Sequence, residues 1–154
     1  MHLTGTCATL PQKDLAPTGG HFAQVESGRL MSLFDWLLVA HLMGDLVLQS
    51  DQMAERKAKH WPWMLRHVAT YLSAVGLVVC VFSANHSVPA ALAAGVLLFV
   101  GATHAFLDRR GFIGWFMRST GHSDDHSWLP IVTDQVIHLL ILAAAAQTLT
   151  WASR

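Results

Sequence analysis

A histidine and an aspartate occur four residues apart in three separate apolar stretches of the chain. The pairs are His41 with Asp45, His104 with Asp108 and, in reverse order, Asp134 with His138. Residues four apart lie on one face of an α-helix, so the two members of each pair point the same way. Imidazole and carboxylate groups ligate metals and transfer protons, and burying them among apolar residues is costly unless they find partners. The spacing therefore predicts that the pairs belong to one polar site.

Composition indicates the class of protein that surrounds this site. Apolar residues make up 53% of the 154 residues and charged residues 13%, against roughly 25% charged in soluble domains. The mean hydropathy is +0.39. These values are typical of a membrane protein. The formal net charge is zero, so no nucleic-acid partner is expected.

Four apolar stretches predict the fold and the domain organisation. They cover residues 33–50, 64–83, 89–108 and 129–150. At about 1.5 Å per residue each helix reaches roughly the ~30 Å of a bilayer core, and the short links favour antiparallel neighbours. We expect an all-α bundle of four antiparallel transmembrane helices within residues 31–154. Residues 1–30 are expected to be a mobile leader whose removal leaves a folded, inserted protein.

Basic residues predict the orientation of this bundle. They lie in the first and third links, whereas residues 84–88 carry none; the basic residues of the links are Arg56, Lys57, Lys59, Arg109, Arg110 and Arg118. By the positive-inside rule these links are cytoplasmic and both termini lie outside. The alternation of antiparallel helices then brings all three pairs, together with His67, to the cytoplasmic end. Ser50 precedes a short helical pattern and is expected to cap it.

Polar groups that four helices bring to one level are typical of metal sites in helical bundles. The candidate ligands are His41, Asp45, His104, Asp108 and His138, with Asp134 as general base or bridging ligand and His67 as ligand or acid. The absence of a nearby thiolate favours Zn²⁺, with Mn²⁺ or Fe²⁺ as alternatives, at one or two sites. An unmetallated hydrogen-bond network or a proton relay is the alternative interpretation.

Two neighbouring residues are candidates for substrate binding. Gln49 follows Asp45 by one turn and either binds substrate or hydrogen-bonds Asp45. Tyr71 follows His67 by one turn and either donates a proton, binds a substrate oxygen or packs in the core. His122 and His126 lie in a polar stretch that is interpreted as a solvated loop, with a lid over the site as the alternative.

The three motifs together resemble a known family. His41-Leu-Met-Gly-Asp45 with Gln49, His104-Ala-Phe-Leu-Asp108 and Asp134-Gln-Val-Ile-His138 resemble the small bacterial membrane proteins of domain-of-unknown-function family 3307, over residues 33–145. The resemblance implies a multi-span bacterial membrane protein and no particular activity. A looser similarity, in His and Asp motifs near helix ends, is to membrane-bound metal-dependent hydrolases.

The function expected from these patterns is a metal-dependent hydrolase at the cytoplasmic face of the inner membrane. Bound metal lowers the pKa of water toward ~7 and polarises the scissile bond. The depth of the site in the membrane predicts an amphipathic or lipid-linked ester, amide or phosphate as substrate, with membrane lipid as partner. One alternative is a divalent-metal or proton carrier, to which homo-oligomerisation could supply a path. The other is a haem-binding electron-transfer module, although bis-histidine haem needs no companion carboxylates.

Overall fold

The computed structural model describes residues 31–121 and 128–154. Helices take up 84% of this part of the chain and none of it forms a strand, which confirms the all-α prediction. The elements are α1 (Leu33–Leu42), a π-helical turn (Met43–Val47), α2 (Asp51–Arg56), α3 (Trp61–Asn85), α4 (Ala90–Asp108), α5 (Gly111–Ser119) and α6 (Trp128–Ala152). The leader expected at residues 1–30, and His122 and His126, lie outside the described residues.

Three helices are long and apolar enough to cross a membrane. α3, α4 and α6 contain 25, 19 and 25 residues, and an 18-residue stretch within each has a mean hydropathy of 1.8, 2.0 and 1.8, respectively. Many of their large aliphatic side chains point outward, since Leu77 is 68%, Leu98 75% and Leu140 65% exposed. Such surfaces are stable against hydrocarbon rather than water. These helices coincide with the second, third and fourth apolar stretches of the sequence, and their length and composition indicate a membrane protein.

The first apolar stretch forms a shorter helix than the sequence pattern predicts. α1 has ten residues and the π-helical turn five, after which the chain leaves the helical path. Ser32 begins α1 by accepting a hydrogen bond from the Asp35 backbone N–H at 3.3 Å. Ser50 caps α2 as expected, accepting from the Met53 N–H at 3.4 Å. Because Ser50 starts a new helix, the first helix ends at Val47 instead of continuing to residue 50.

Four helices surround the interior. α1 contacts α3 and α6, and α4 also contacts α3 and α6. Apolar side chains fill one part of this interior; among them are Leu37, Val75, Val96 and Leu142. The polar residues lie at one end of each helix: the end of α1 and its π-helical turn, the start of α3, the end of α4 and the start of α6. The helices therefore bring the polar side chains together at the end opposite the apolar core.

A glycine beside these polar groups allows the π-helical turn to approach α3 closely. A Cβ on Gly44 would lie 2.9 Å from the backbone Cα of Tyr71, a distance that real contacts do not adopt. A Cβ on Gly101 would meet Leu72 at 2.8 Å, but that atom is the flexible end of a side chain. A Cβ on Gly95 would meet nothing within 4 Å. Gly44 thus fixes the distance between the π-helical turn and α3.

Gly44→Ala is expected to lower the free energy of unfolding by about 1–3 kcal/mol, because the backbone of α3 must move away. Gly101→Ala should have a smaller effect, since Leu72 can change rotamer. Gly95→Ala is the control and should leave stability unchanged or slightly higher. Denaturant titration in detergent micelles, followed by circular dichroism, measures all three. Equal stability of Gly44→Ala and Gly95→Ala would show that the close approach carries no constraint.

Candidate metal centre

Four buried side chains place one donor atom each within 4.8 Å of all the others. Asp45 comes from the π-helical turn, His67 from α3, and His104 and Asp108 from α4. Their exposed fractions are 3%, 0%, 0% and 4%. We call these residues the four-donor group. Two carboxylates and two imidazoles are shielded here from solvent, so their partners must come from within the protein or from a bound ion.

The spacing of the donor atoms suits a small cation. His67 Nε2 lies 2.8 Å from Asp108 Oδ2, 3.2 Å from Asp45 Oδ1 and 2.9 Å from His104 Nε2. His104 Nε2 lies 3.4 Å from Asp108 Oδ2 and 3.8 Å from Asp45 Oδ1. In a tetrahedral zinc site with bonds of about 2.0–2.2 Å, neighbouring ligand atoms are about 3.3–3.6 Å apart. The donor chemistry matches such a site, and these five separations of 2.8–3.8 Å are close to its spacing, so the four-donor group could hold a divalent metal.

His138 presents an unpaired nitrogen to the same cluster. Its Nδ1 lies 2.9 Å from the backbone carbonyl oxygen of Asp134, which can only accept, so Nδ1 carries the proton. In the neutral ring Nε2 then keeps its lone pair. This nitrogen is buried, lies 3.9 Å from Asp108 Oδ1 and has no hydrogen-bond partner among the described residues. Asp108, Asp134 and His138 form a second group able to hold a metal, and Asp108 belongs to both groups.

Gln135 connects His41 to Asp45. Its side-chain amide donates to Asp45 Oδ2 at 3.1 Å, and its carbonyl oxygen lies 3.1 Å from His41 Nε2. A carboxylate only accepts, so the NH₂ end must face Asp45 and His41 must donate from Nε2. His41 Nδ1 is buried and finds no hydrogen-bond partner in the described part of the chain. His41 thus lies beside the four-donor group, and its role as a ligand stays a prediction.

Lys57 completes the cluster, although the sequence pattern assigns it only to the basic residues of a cytoplasmic link. The residue is 7% exposed. Its Nζ lies 2.6 Å from Asp108 Oδ2, 3.3 Å from Asp45 Oδ1 and 3.1 Å from His67 Nε2. The sequence feature that could have identified Lys57 as a site residue is its position along the chain, 12 residues after Asp45 and 10 before His67. Gln135 carries a similar signal, since it lies directly beside Asp134 and one turn before His138.

The remaining predicted site residues surround the cluster at different depths. The Tyr71 ring is 1% exposed and stacks on the His104 ring, with centroids 3.7 Å apart and planes 2° from parallel. Gln49 is half-buried. The Asp134 side chain is 21% exposed, more than the Asp45 or Asp108 side chain. Substrate binding by Gln49 and Tyr71, and general-base catalysis by Asp134, stay predictions.

Long apolar helices around a buried cluster of histidines, aspartates and a lysine define an all-helical membrane protein with a candidate metal centre. The model of the family described as "Protein of unknown function (DUF3307)" matches residues 33–154, and the chain belongs to this family. The match confirms the resemblance of the motifs. No curated protein and no solved structure matches the chain.

Gln135→Leu is expected to lower the free energy of unfolding by about 1–3 kcal/mol, because it leaves His41 Nε2–H and Asp45 Oδ2 buried without their partner. Gln147→Leu is the matched control: it makes the same change at an exposed position of α6. Stability is measured by denaturant titration in detergent micelles. If the two variants are equally stable, the Gln135 bridge contributes nothing to the fold.

Proposed function

We propose that this chain is a membrane-embedded, metal-dependent hydrolase. The observation that carries the proposal is the four-donor group: two imidazole nitrogens and two carboxylate oxygens, all buried, at separations that suit one small divalent ion. Imidazole and carboxylate are usual ligands of Zn²⁺, which we propose as the metal, with Mn²⁺ or Fe²⁺ as alternatives. His138 and Asp134 extend the donor set around Asp108.

The proposed membrane arrangement is an antiparallel bundle of four spans, in which α1 with its π-helical turn is the first. Its 15 residues reach about 22 Å, which a bilayer can accommodate by thinning locally. Contacts of α1 with α3 and α6 support this placement. Exposed basic residues lie near the polar end; they are Arg56, Lys59, Arg110 and Arg118. They support a cytoplasmic location of the site in a bacterial inner membrane, with both termini outside.

The chemistry in this proposal divides between metal and side chains. A divalent metal, when bound, supplies an activated water and polarises the carbonyl or phosphoryl oxygen of the substrate. Asp134, the most exposed of the three aspartates in the cluster, accepts a proton from the attacking water and returns it to the leaving group. His67 and His104 would hold the metal together with Asp45 and Asp108, and the stacked Tyr71 ring fixes the orientation of His104.

The substrate proposed is amphipathic or lipid-linked, because the site lies at the depth of lipid headgroups. Gln49, half-buried next to the π-helical turn, is proposed to bind its polar group together with Tyr71. Membrane lipid is thus both the surroundings and the source of substrate.

A divalent-metal or proton carrier is the second candidate, and the enclosure of the site favours it. None of the four donor residues is more than 4% exposed, which suits passage of a small ion better than access of a bulky substrate. A homo-oligomer could supply the rest of the path. The haem alternative has less support, since the Nε2 atoms of His67 and His104, 2.9 Å apart, suit one shared small ion.

Protein purified in detergent without chelator is expected to contain about one divalent metal ion per chain, measured by elemental analysis. His104→Ala should lose the metal because it removes a donor. His86→Ala, at an exposed position beyond the end of α3, should retain it. A parent protein free of metal, or a Soret band in its visible spectrum, would contradict the metal-dependent proposal.

Metal-loaded protein is expected to hydrolyse at least one of three probes in mixed micelles: a p-nitrophenyl ester, p-nitrophenyl phosphate or a fluorogenic phospholipid. Chelation should abolish this activity. Asp134→Asn should keep the metal but lower kcat by about 10²- to 10⁴-fold, the usual contribution of a general base. Zn²⁺ flux into proteoliposomes without hydrolysis of any probe would favour the carrier.

Introduced cysteines test the four-span arrangement in a background without Cys7 and Cys80. A membrane-impermeant maleimide added to intact spheroplasts is expected to label Met31→Cys, Asn85→Cys and Arg154→Cys. It should spare Lys59→Cys and Ser119→Cys until the membrane is permeabilised. All five positions are exposed in the protein, so burial does not limit labelling. Protection of Met31→Cys would show that α1 does not cross the membrane.

A further inference from the structure

Lys57 contacts three of the four atoms that make up the four-donor group. Its Nζ lies 2.6 Å from Asp108 Oδ2, 3.1 Å from His67 Nε2 and 3.3 Å from Asp45 Oδ1. Only His104 Nε2 is left out of these contacts. The same side chains that suit a divalent ion therefore already hold a cation that belongs to the protein.

The imidazole of His67 cannot serve both cations at once. With Nε2 unprotonated, the ring has one lone pair there, which either accepts a hydrogen bond from Lys57 Nζ or binds a metal. With Nε2 protonated, it donates to Asp108 Oδ2 at 2.8 Å and has no lone pair for either cation. Carboxylate oxygens have more lone pairs, but the positive charge of the ammonium still opposes a divalent ion at this separation. Metal binding and the Lys57 contacts are thus mutually exclusive at His67.

The position of Lys57 in the chain allows its side chain to leave. The residue follows directly after α2, and no residue of α2 itself is buried. Lys59, two positions further on, is exposed. Lys57 is therefore a buried residue next to a helix that has none, so an outward movement of its side chain does not require a buried residue of α2 to move.

We propose that Lys57 is an internal competitor of the metal: its ammonium occupies the four-donor group in the metal-free protein, and a divalent ion displaces it. This inference rests on the proposed metal site and adds a mode of regulation to it. Metal affinity is then set below the intrinsic affinity of the donors, and loading of the site is coupled to release of the segment after α2.

Zn²⁺ titration of the full-length, metal-stripped protein in detergent tests the competition, with a chromophoric chelator as the reference. Lys57→Met removes the ammonium while keeping an unbranched side chain, and it should bind Zn²⁺ at least roughly tenfold more tightly than the parent. Lys59→Met, the same substitution at an exposed neighbour, should match the parent. Equal or weaker binding by Lys57→Met would overturn the inference but leave the metal site intact. Absence of Zn²⁺ binding in both parent and Lys57→Met would overturn the two proposals together.

Amine acylation of the unmodified sequence provides a second measurement that does not depend on a folded variant. A brief pulse of acetylating reagent, read by peptide mass spectrometry, should modify Lys57 slowly relative to Lys59 in metal-free protein, because Lys57 is 7% exposed. Zn²⁺ should raise the ratio of Lys57 to Lys59 acetylation several-fold. A ratio that Zn²⁺ leaves unchanged or lowers would contradict displacement of the side chain.

Discussion

At the polar end of this protein, buried carboxylates must be neutralised by other groups of the protein instead of by water. Asp45 and Asp108 are almost completely buried, and their cationic and hydrogen-bonding partners come from other elements of the fold: Lys57 after α2, His67 in α3 and Gln135 in α6. Ionised groups inside a membrane protein are costly unless paired. The contacts of these carboxylates therefore fix the ends of the helices relative to one another. Apolar packing in the core is less directional and constrains the helices less.

The sequence predicts the depth of the polar residues along their helices, but not how each helix is rotated about its axis. The convergence of Asp45, His67, His104 and Asp108 follows from helix length and alternation, because these determine the depth of each residue. Helix rotation is not determined in this way. His41 shares a face with Asp45, yet its Nε2 bonds Gln135 rather than joining the donor atoms, and only the packing of α1 against α6 settles this.

Lys57 shows a second limit of inference from sequence. A lysine in a short link between apolar helices is usually exposed to water, and it indicates which side of the membrane the link lies on. Its burial here depends on the carboxylates that two other elements place within reach, so its nearness along the chain to Asp45 and His67 does not by itself predict it. The long apolar helices α3, α4 and α6 were predictable because composition and length alone decide them. The first helix was predicted too long because a π-helical turn and the Ser50 cap end it early.

Because of the π-helical turn, the number of residues in this segment determines how the helical parts before and after it are rotated against each other. An insertion or deletion in a loop changes only its length, but one residue removed between Leu42 and Asp45 would rotate the two flanking parts of the helix by about 100° against each other. His41 and Asp45 could then no longer both reach Gln135. A π-helical turn is a common way to absorb one additional residue in a helix, and it often occurs at functional sites. The number of residues in Met43–Val47 therefore determines the directions in which the His41 and Asp45 side chains point. An insertion or deletion that a surface loop would tolerate would separate the side chains of the polar cluster here.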